Sequence, residues 1–318
     1  MFENRLEVVP IDAALFDTWR DDLKIRWAHL RSSSGKMNPQ EALGTVTDIL
    51  NQRLASGLET AEQFVFSISD AGQIKGSFWL EIKGDKGFLY DVVLNESVRL
   101  ENLRDLIEKI AISRGALELR VNVFSSDQLL MSLTTPNTYM SVNSQMWLLD
   151  NPDIDANKVD SGLTLRPMEW NEFSDYRQWQ INIYAAEKVA AGNCSLEEAL
   201  SESMQEVAKL LPDGLKSEGQ FIFIAELKSE RIGTVWVDID RELEVPQAFV
   251  IYIEIDQALR GQGLGRELMY ATQLEGRKLG AKGFALSVFD HNSVAKNLYM
   301  SVGFQVTEVL KKRILKSE

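Results

Sequence analysis

Cysteine is almost missing from this chain. Cys194 is the single one in 318 residues, so no intrachain disulfide can form and no cysteine cage for a metal can be built. Histidine is nearly as scarce: His29 and His291 lie in opposite halves and make no metal-ligand set with each other. No apolar run approaches the ~20 residues that a membrane-spanning helix needs. The opening Met-Phe-Glu-Asn-Arg-Leu-Glu lacks the basic-then-apolar pattern of a secretory leader. These absences predict a cytoplasmic protein with no metal and no membrane partner. Positive charge is short as well, with 34 Lys and Arg against 47 Asp and Glu and a formal net charge of −13. A field of that sign repels phosphate backbones, which argues against a nucleic-acid partner and suits a cationic ligand, although solubility alone would explain it.

Apolar material is plentiful, 45% of the chain with seven Trp, and the length suits two domains. The two halves are copies. A shift of 157 residues aligns positions 6–82 with 163–239 without a gap. Leu6 falls on Leu163, Pro10 on Pro167, Phe16 on Phe173 and Arg20 on Arg177. Gln63-Phe64-Val65-Phe66 meets Gln220-Phe221-Ile222-Phe223, Gly76 meets Gly233 and Trp79 meets Trp236. With a five-residue insertion in the second copy, Tyr90 aligns with Tyr252; with three more, Val121–Phe124 aligns with Leu286–Phe289. One register sustained that long marks a duplicated domain. The expected division is 1–150, a polar linker at 151–162, and 163–318, with the boundary near residue 155.

Each copy reads as a strand, two helices, a β-meander and then βαβ. In the second copy the strands fall at 163–166, 221–226, 233–238, 249–256 and 283–289. Two helices fill 171–211, one spans 264–279 with Gly280 past its end, and a last one runs from Asn292 to Val302. The fold class is α/β in the α+β sense, a mixed, mostly antiparallel sheet flanked by helices.

Between the strand ending near Ile255 and the helix starting at Leu264 stands Arg260-Gly-Gln-Gly-Leu-Gly265. Three glycines at a strand-to-helix turn let backbone N–H groups converge at the positive end of a helix dipole, which suits a pyrophosphate. A Walker loop is excluded because Arg266-Glu267 follows the last glycine, and the spacing is not that of a dinucleotide fingerprint. About thirty residues on comes Asn292-Ser-Val-Ala-Lys-Asn-Leu-Tyr299-Met-Ser-Val-Gly303-Phe304. Together the two segments resemble the signature motifs of the GNAT superfamily of N-acetyltransferases, over roughly residues 163–310.

The resemblance implies acetyl-CoA as co-substrate and an amine as acceptor. It assigns the pyrophosphate to the backbone of Arg260, Gly261, Gln262, Gly263, Leu264, Gly265 and Arg266, and the thioester arm to the backbone of Ile253, Glu254 and Ile255. Tyr299 becomes the acid that protonates the departing thiolate. Alternation of the strand puts Tyr252 and Glu254 on one face and Ile251, Ile253 and Ile255 on the other, leaving Glu254 as candidate base or as an ordinary cross-strand partner. Asn292 either contacts the pantetheine arm or caps its helix. Tyr184, Glu187 and Lys188 fall on a helix that commonly shapes the acceptor pocket in that family, without individual roles. The insertion Arg241–Pro246 is a candidate rim of that pocket, and Cys194 reads as inert packing.

The first copy lacks these features. Opposite Arg260–Gly265 it reads Val98-Arg-Leu-Glu-Asn-Leu103, which places Glu101 against Gly263. Asp127 stands opposite Asn292, Thr134 opposite Tyr299, and Thr138-Tyr139 opposite Gly303-Phe304, while core positions are kept. Residues 1–150 therefore read as a degenerate copy without a cofactor site. A non-catalytic acyl-CoA-binding or scaffold protein is the competing reading, and either a monomer or a homodimer fits the duplication.

Overall fold

The computed structural model describes residues 6–95, 98–149, 159, 161–192, 194–241, 243 and 245–315. Most of the expected linker 151–162 lies outside the described residues, as do Asn193, Glu242 and Glu244. The chain divides into two units. One comprises residues up to Ser144 together with those from Thr307 onward, and the other comprises Gln145–Val306.

In the first unit the order is β1 (Glu7–Pro10), α1 (Ala13–Ser32), α2 (Pro39–Arg53), β2 (Gln63–Asp70), β3 (Gln73–Lys83), β4 (Lys86–Leu94), α3 (Leu100–Ser113), β5 (Glu118–Phe124) and α4 (Gln128–Leu133). β6 (Met140–Leu149) leaves this unit after Ser144. The second unit continues with β7 (Thr164–Pro167), α5 (Trp170–Ala190), α6 (Leu196–Leu210), β8 (Gln220–Leu227), β9 (Glu230–Asp240), β10 (Gln247–Ile255), α7 (Leu264–Lys278), β11 (Gly283–Phe289) and α8 (Ser293–Ser301). β12 (Gln305–Ile314) then enters the first unit at Thr307 and pairs antiparallel with β5, from Glu308 against Phe124 to Ile314 against Glu118. Strand order is β1-β2-β3-β4-β5-β12 in the first unit and β6-β11-β10-β9-β8-β7 in the second. The sequence reading missed β6 and β12. In β12 the residues Glu308, Lys311, Lys312 and Arg313 blur the apolar alternation on which a strand assignment rests.

The duplication is legible atom by atom. α2 and α6 both open on a reciprocal capping box, Asn38 with Glu41 and Ser195 with Glu198, which satisfies backbone donors the first helical turn cannot. The Trp79 indole donates to the Gln63 side chain at 2.7 Å, and Trp236 donates to Gln220 at 2.8 Å. Each is a large buried ring whose single donor must find an acceptor. A Cβ at Gly76 would sit 2.0 Å from the Val93 carbonyl oxygen, and one at Gly233 would sit 2.2 Å from that of Glu254. Both copies thus need glycine where the meander strands approach.

One part of the repeat alignment is corrected. Trp79 faces Asp91 across β3–β4, whereas Trp236 faces Tyr252 across β9–β10. Asp91, not Tyr90, is therefore the counterpart of Tyr252, and the insertion in the second copy is one residue shorter than sequence matching suggested. The two tyrosines misled because Tyr90 is itself the extra residue of a bulge, whereas Tyr252 is paired and follows the extra residue Ile251.

Within the second unit the sheet is covered on both faces. Val235, Val237 and Ile239 of β9 pack with Leu264, Leu268 and Tyr299 of α7 and α8. Trp236 packs on the opposite side with Phe173, Tyr176, Ile181 and Val207 of α5 and α6. Each fully buried aliphatic side chain contributes roughly 1.5–3 kcal/mol, so these two layers fix β10 between them.

Candidate functional site

β10 and β11 run parallel, but their pairing covers only Gln247–Val250 against Gly283–Leu286. β10 continues to Ile255 and β11 to Phe289, so beyond Val250 the two strands part and leave a notch lined by β10 backbone. The first unit has the same notch, with β4–β5 pairing ending at Leu89 against Val121. A notch alone therefore does not distinguish the copies.

The glycine turn does. Gly261 and Gly263 adopt φ of +80° and +84°, and nothing lies within 4 Å of where their Cβ atoms would be. Left-handed backbone, not crowding, is what calls for glycine there. Gly263 is the N-cap of α7 and supplies no capping side chain. Among the described residues the backbone N–H groups of Gly261 through Gly265 have no acceptor. Five adjacent donors without acceptors at a helix N-terminus are an arrangement that suits an anion. Gly265 has a different reason from the one expected: its Cβ would press on Leu298 Cδ1 at 3.2 Å, so it lets α8 approach α7. Gln262 and Arg266 are exposed, and Leu264 is buried in the core.

In the first unit the N-cap of α3 is Arg99, with φ of −70° and no left-handed turn at the cap. Glu101 lies inside the first turn of that helix, and Arg99 rather than Glu101 takes the place of Gly263. The loss of the glycine cap stands on this corrected residue.

Glu254 sits at the end of the notch and is partly buried. Its Oε2 accepts from the Tyr252 hydroxyl at 2.8 Å and from Arg260 at 3.1 Å, while Arg260 Nε also donates to the Ile255 carbonyl at 2.9 Å. Tyr252 and Glu254 thus share a face as expected. The expected grouping of the isoleucines is corrected: the bulge turns Ile251 toward the α5–α6 side with Tyr252, while Ile253 and Ile255 pack on the α7–α8 side. Trp179 meets the Tyr252 ring edge-on at 5.2 Å, and Tyr176 lies against Trp179 at 5.8 Å. The Tyr176 hydroxyl is buried with no hydrogen-bond partner. Sequence reading missed Tyr176 and Trp179; the helical spacing of Tyr176, Gln180, Tyr184 and Glu187 was the available signal.

Tyr299, on α8, is 8% exposed and packs against Phe304. Burial, reinforced by the Glu187 carboxylate, pushes its phenol up to about 12, so the hydroxyl stays protonated at neutral pH. Glu187, on α5, has its carboxyl raised first by burial and then by the charge of Glu254. Glu187, Glu254, Tyr252 and Tyr299 are thereby brought together from three elements. Asn292 caps α8, accepting from the Ala295 N–H at 3.1 Å, as Asp127 caps α4 by accepting from the Leu130 N–H at 3.0 Å. Lys188 turns away to Glu202 and Glu206 of α6, at 2.9 Å each. His291 stacks on Phe289, and Cys194 is a half-buried free thiol between α5 and α6. Among the described residues no His, Cys, Asp and Glu cluster is placed to hold a metal, and no helix is long and apolar enough to cross a membrane.

The family model described as the acetyltransferase (GNAT) family matches residues 182–304. An uncharacterized N-acetyltransferase of Bacillus subtilis, YycN, is 32% identical over 149 residues, covering 46% of this chain and 96% of the relative. A second from that organism, YdgE, is 29% identical over 147 residues, covering 46% and 94%. A crystal structure of a GCN5-related N-acetyltransferase from Sphaerobacter thermophilus shares the fold over 100% of this chain and 98% of its own, with a TM-score of 0.53 at 14% identity. The chain belongs to the GNAT family. It is an acetyltransferase, built as two copies of a mixed, mostly antiparallel sheet flanked by helices.

Proposed function

We propose that the second copy transfers an acetyl group from acetyl-CoA to a primary amine, and that residues 1–150 hold no cofactor. The observation that carries this reading is the run of unclaimed N–H donors from Gly261 to Gly265 beside the β10 notch. The first copy keeps the notch and lacks the glycine cap. The N–H groups of residues 260–266 would hold the pyrophosphate, and the backbone of Ile253–Ile255 would align the thioester arm. Arg260 is exposed and adds positive charge beside them.

Glu254 takes one proton of the acceptor ammonium, directly or through water, because a free alkyl ammonium titrates at about 10.4 and is not nucleophilic until it loses that proton. The amine nitrogen then bonds to the thioester carbon, the carbon–sulfur bond breaks, and the Tyr299 hydroxyl gives its proton to the sulfur. The nitrogen sheds its second proton as the amide forms, which restores the phenol directly or through water, and the proton left on Glu254 passes to solvent. Asn292 is spoken for as a helix cap through its Oδ1, and its side-chain amide remains the group available to the pantetheine arm.

Calorimetric titration of the full chain with acetyl-CoA tests this reading. Saturable binding that Gly263→Glu abolishes is expected. Absence of binding by the unaltered protein would return the glycines to the role of a plain turn.

A further inference from the structure

Glu187 is a charged group of the second unit that lies against another carboxylate. Its carboxylate is half-buried, and among the described residues it makes no hydrogen bond and no ion pair. Every neighbour that acts on it has the wrong charge or none. From β10 it faces the carboxylate of Glu254 and the phenol of Tyr252; from α8 it faces Tyr299; its own helix adds Tyr184. Lys188, the cation next to it in sequence, is held by two carboxylates of α6. Arg260 is committed to Glu254.

A buried carboxylate without a partner is expensive to keep, and folded proteins place such groups opposite a cation or a proton. Here Arg260 is bound to Glu254, Arg231 of β9 acts on Tyr176, and no cation acts on Glu187, so that carboxylate has no positive charge opposite it. A second observation points to a ligand at the same place. The Tyr176 hydroxyl is buried, has no partner, and is close enough to Glu254 and Tyr252 to act on both electrostatically.

We infer that Glu187 is the residue that binds the acceptor, receiving its ammonium group between itself and Glu254. The inference rests on the acetyltransfer reading and narrows its substrate class. The acceptor is a primary ammonium with no carboxylate on the adjacent carbon, since a second negative charge there would face both glutamates. Trp179, Tyr176 and Tyr252 offer aromatic surface to the stem that carries the ammonium, in keeping with the attraction of cations to ring faces. The ammonium enters charged, is held by Glu187, and yields its proton to Glu254 as the nitrogen attacks.

The test uses the full chain with acetyl-CoA and follows release of the coenzyme thiol. The amine probes are n-butylamine and 2-phenylethylamine, each beside its α-carboxylated counterpart, norvaline and phenylalanine. Saturable turnover of a carboxylate-free amine and little or none of its counterpart is expected. Glu187→Gln should raise KM for the amine by about tenfold to a hundredfold, the loss of one charge-assisted contact, with a much smaller change in kcat. Glu187→Asp should recover part of that loss, and calorimetry should find acetyl-CoA binding unaltered. In a thermal melt, n-butylamine should stabilise the unaltered protein and leave Glu187→Gln unmoved.

An unchanged KM in Glu187→Gln, or equal use of norvaline and n-butylamine, would overturn the assignment while leaving acetyltransfer intact. Acetyl-CoA binding without turnover or a thermal response to either carboxylate-free amine would also overturn it. Failure to bind acetyl-CoA at all would instead remove the reading on which it rests.

Discussion

At the scale of the residue, burial raises both the Tyr299 phenol and the Glu187 carboxyl, to different effect. The Tyr299 phenol is kept protonated by its surroundings, which suits a donor to a leaving thiolate. Tyr299→Phe should lower kcat by about a hundredfold or more, the usual worth of a placed acid, while acetyl-CoA affinity measured by calorimetry stays the same. Undiminished turnover would remove Tyr299 from the chemistry. Glu187 is the reverse case, a group the fold holds at a disadvantage. Its carboxyl is raised above the unfolded value, so the native chain holds the proton more tightly, and stability present at low pH is lost as pH rises through the native value. At neutral pH, without amine, Glu187→Gln should therefore melt at a higher temperature than the unaltered protein. Glu172 behaves oppositely. Arg166 holds it at 2.8 Å and brings its carboxyl down to about 2, so its contribution is complete above the unfolded value of about 4.5. That contribution fades as pH falls from there toward 2. Glu172→Gln should flatten this part of the acid-unfolding curve, and an unchanged curve would show the ion pair to be inert.

At the scale of the element, glycines in this chain serve three distinct purposes. Gly233 lets β9 and β10 approach, since its Cβ would overlap the Glu254 carbonyl oxygen. Gly263 permits a left-handed cap, and Gly265 permits α8 to pack on α7. The consequences of substitution should separate accordingly. Gly233→Ala should lower the melting temperature sharply, by backbone overlap at the strand that carries Glu254. Gly263→Ala should change the melting temperature little, because a left-handed alanine costs only roughly 1–2 kcal/mol, yet weaken acetyl-CoA binding. Equal losses of stability in the two variants would contradict this division. The sequence announced the glycines by their spacing but could not tell a packing glycine from a conformational one, because that depends on what lies across the gap.

At the scale of the whole molecule, one copy carries the cradle and the other carries the same sheet without it. Arg99 at the α3 cap does not make the left-handed turn that Gly263 makes, and Thr134 takes the position of Tyr299. Titration should therefore give one acetyl-CoA per chain, and two per chain would show that the first copy binds through some other arrangement of donors. The chain also shares its strands out in an order that a linear reading does not suggest, with β12 completing the sheet of the first unit.

The sequence by itself determined the family, the duplication, the fold class and the loop that separates one copy from the other. These are recorded in local spacing: a sustained register, glycines at a turn, an Asn-to-Gly-Phe series on a helix. It also brought Tyr252 and Glu254 to one face, since alternation along a strand is local. The register beyond the bulge, the partner of β12 and the setting of Glu187 were decided only in three dimensions. A bulge shifts faces by one residue without any mark in composition, and a charged strand hides its alternation. Whether a glutamate on a helix is solvated or left without a partner depends on β10 and α8, which are distant in the chain and close only after folding.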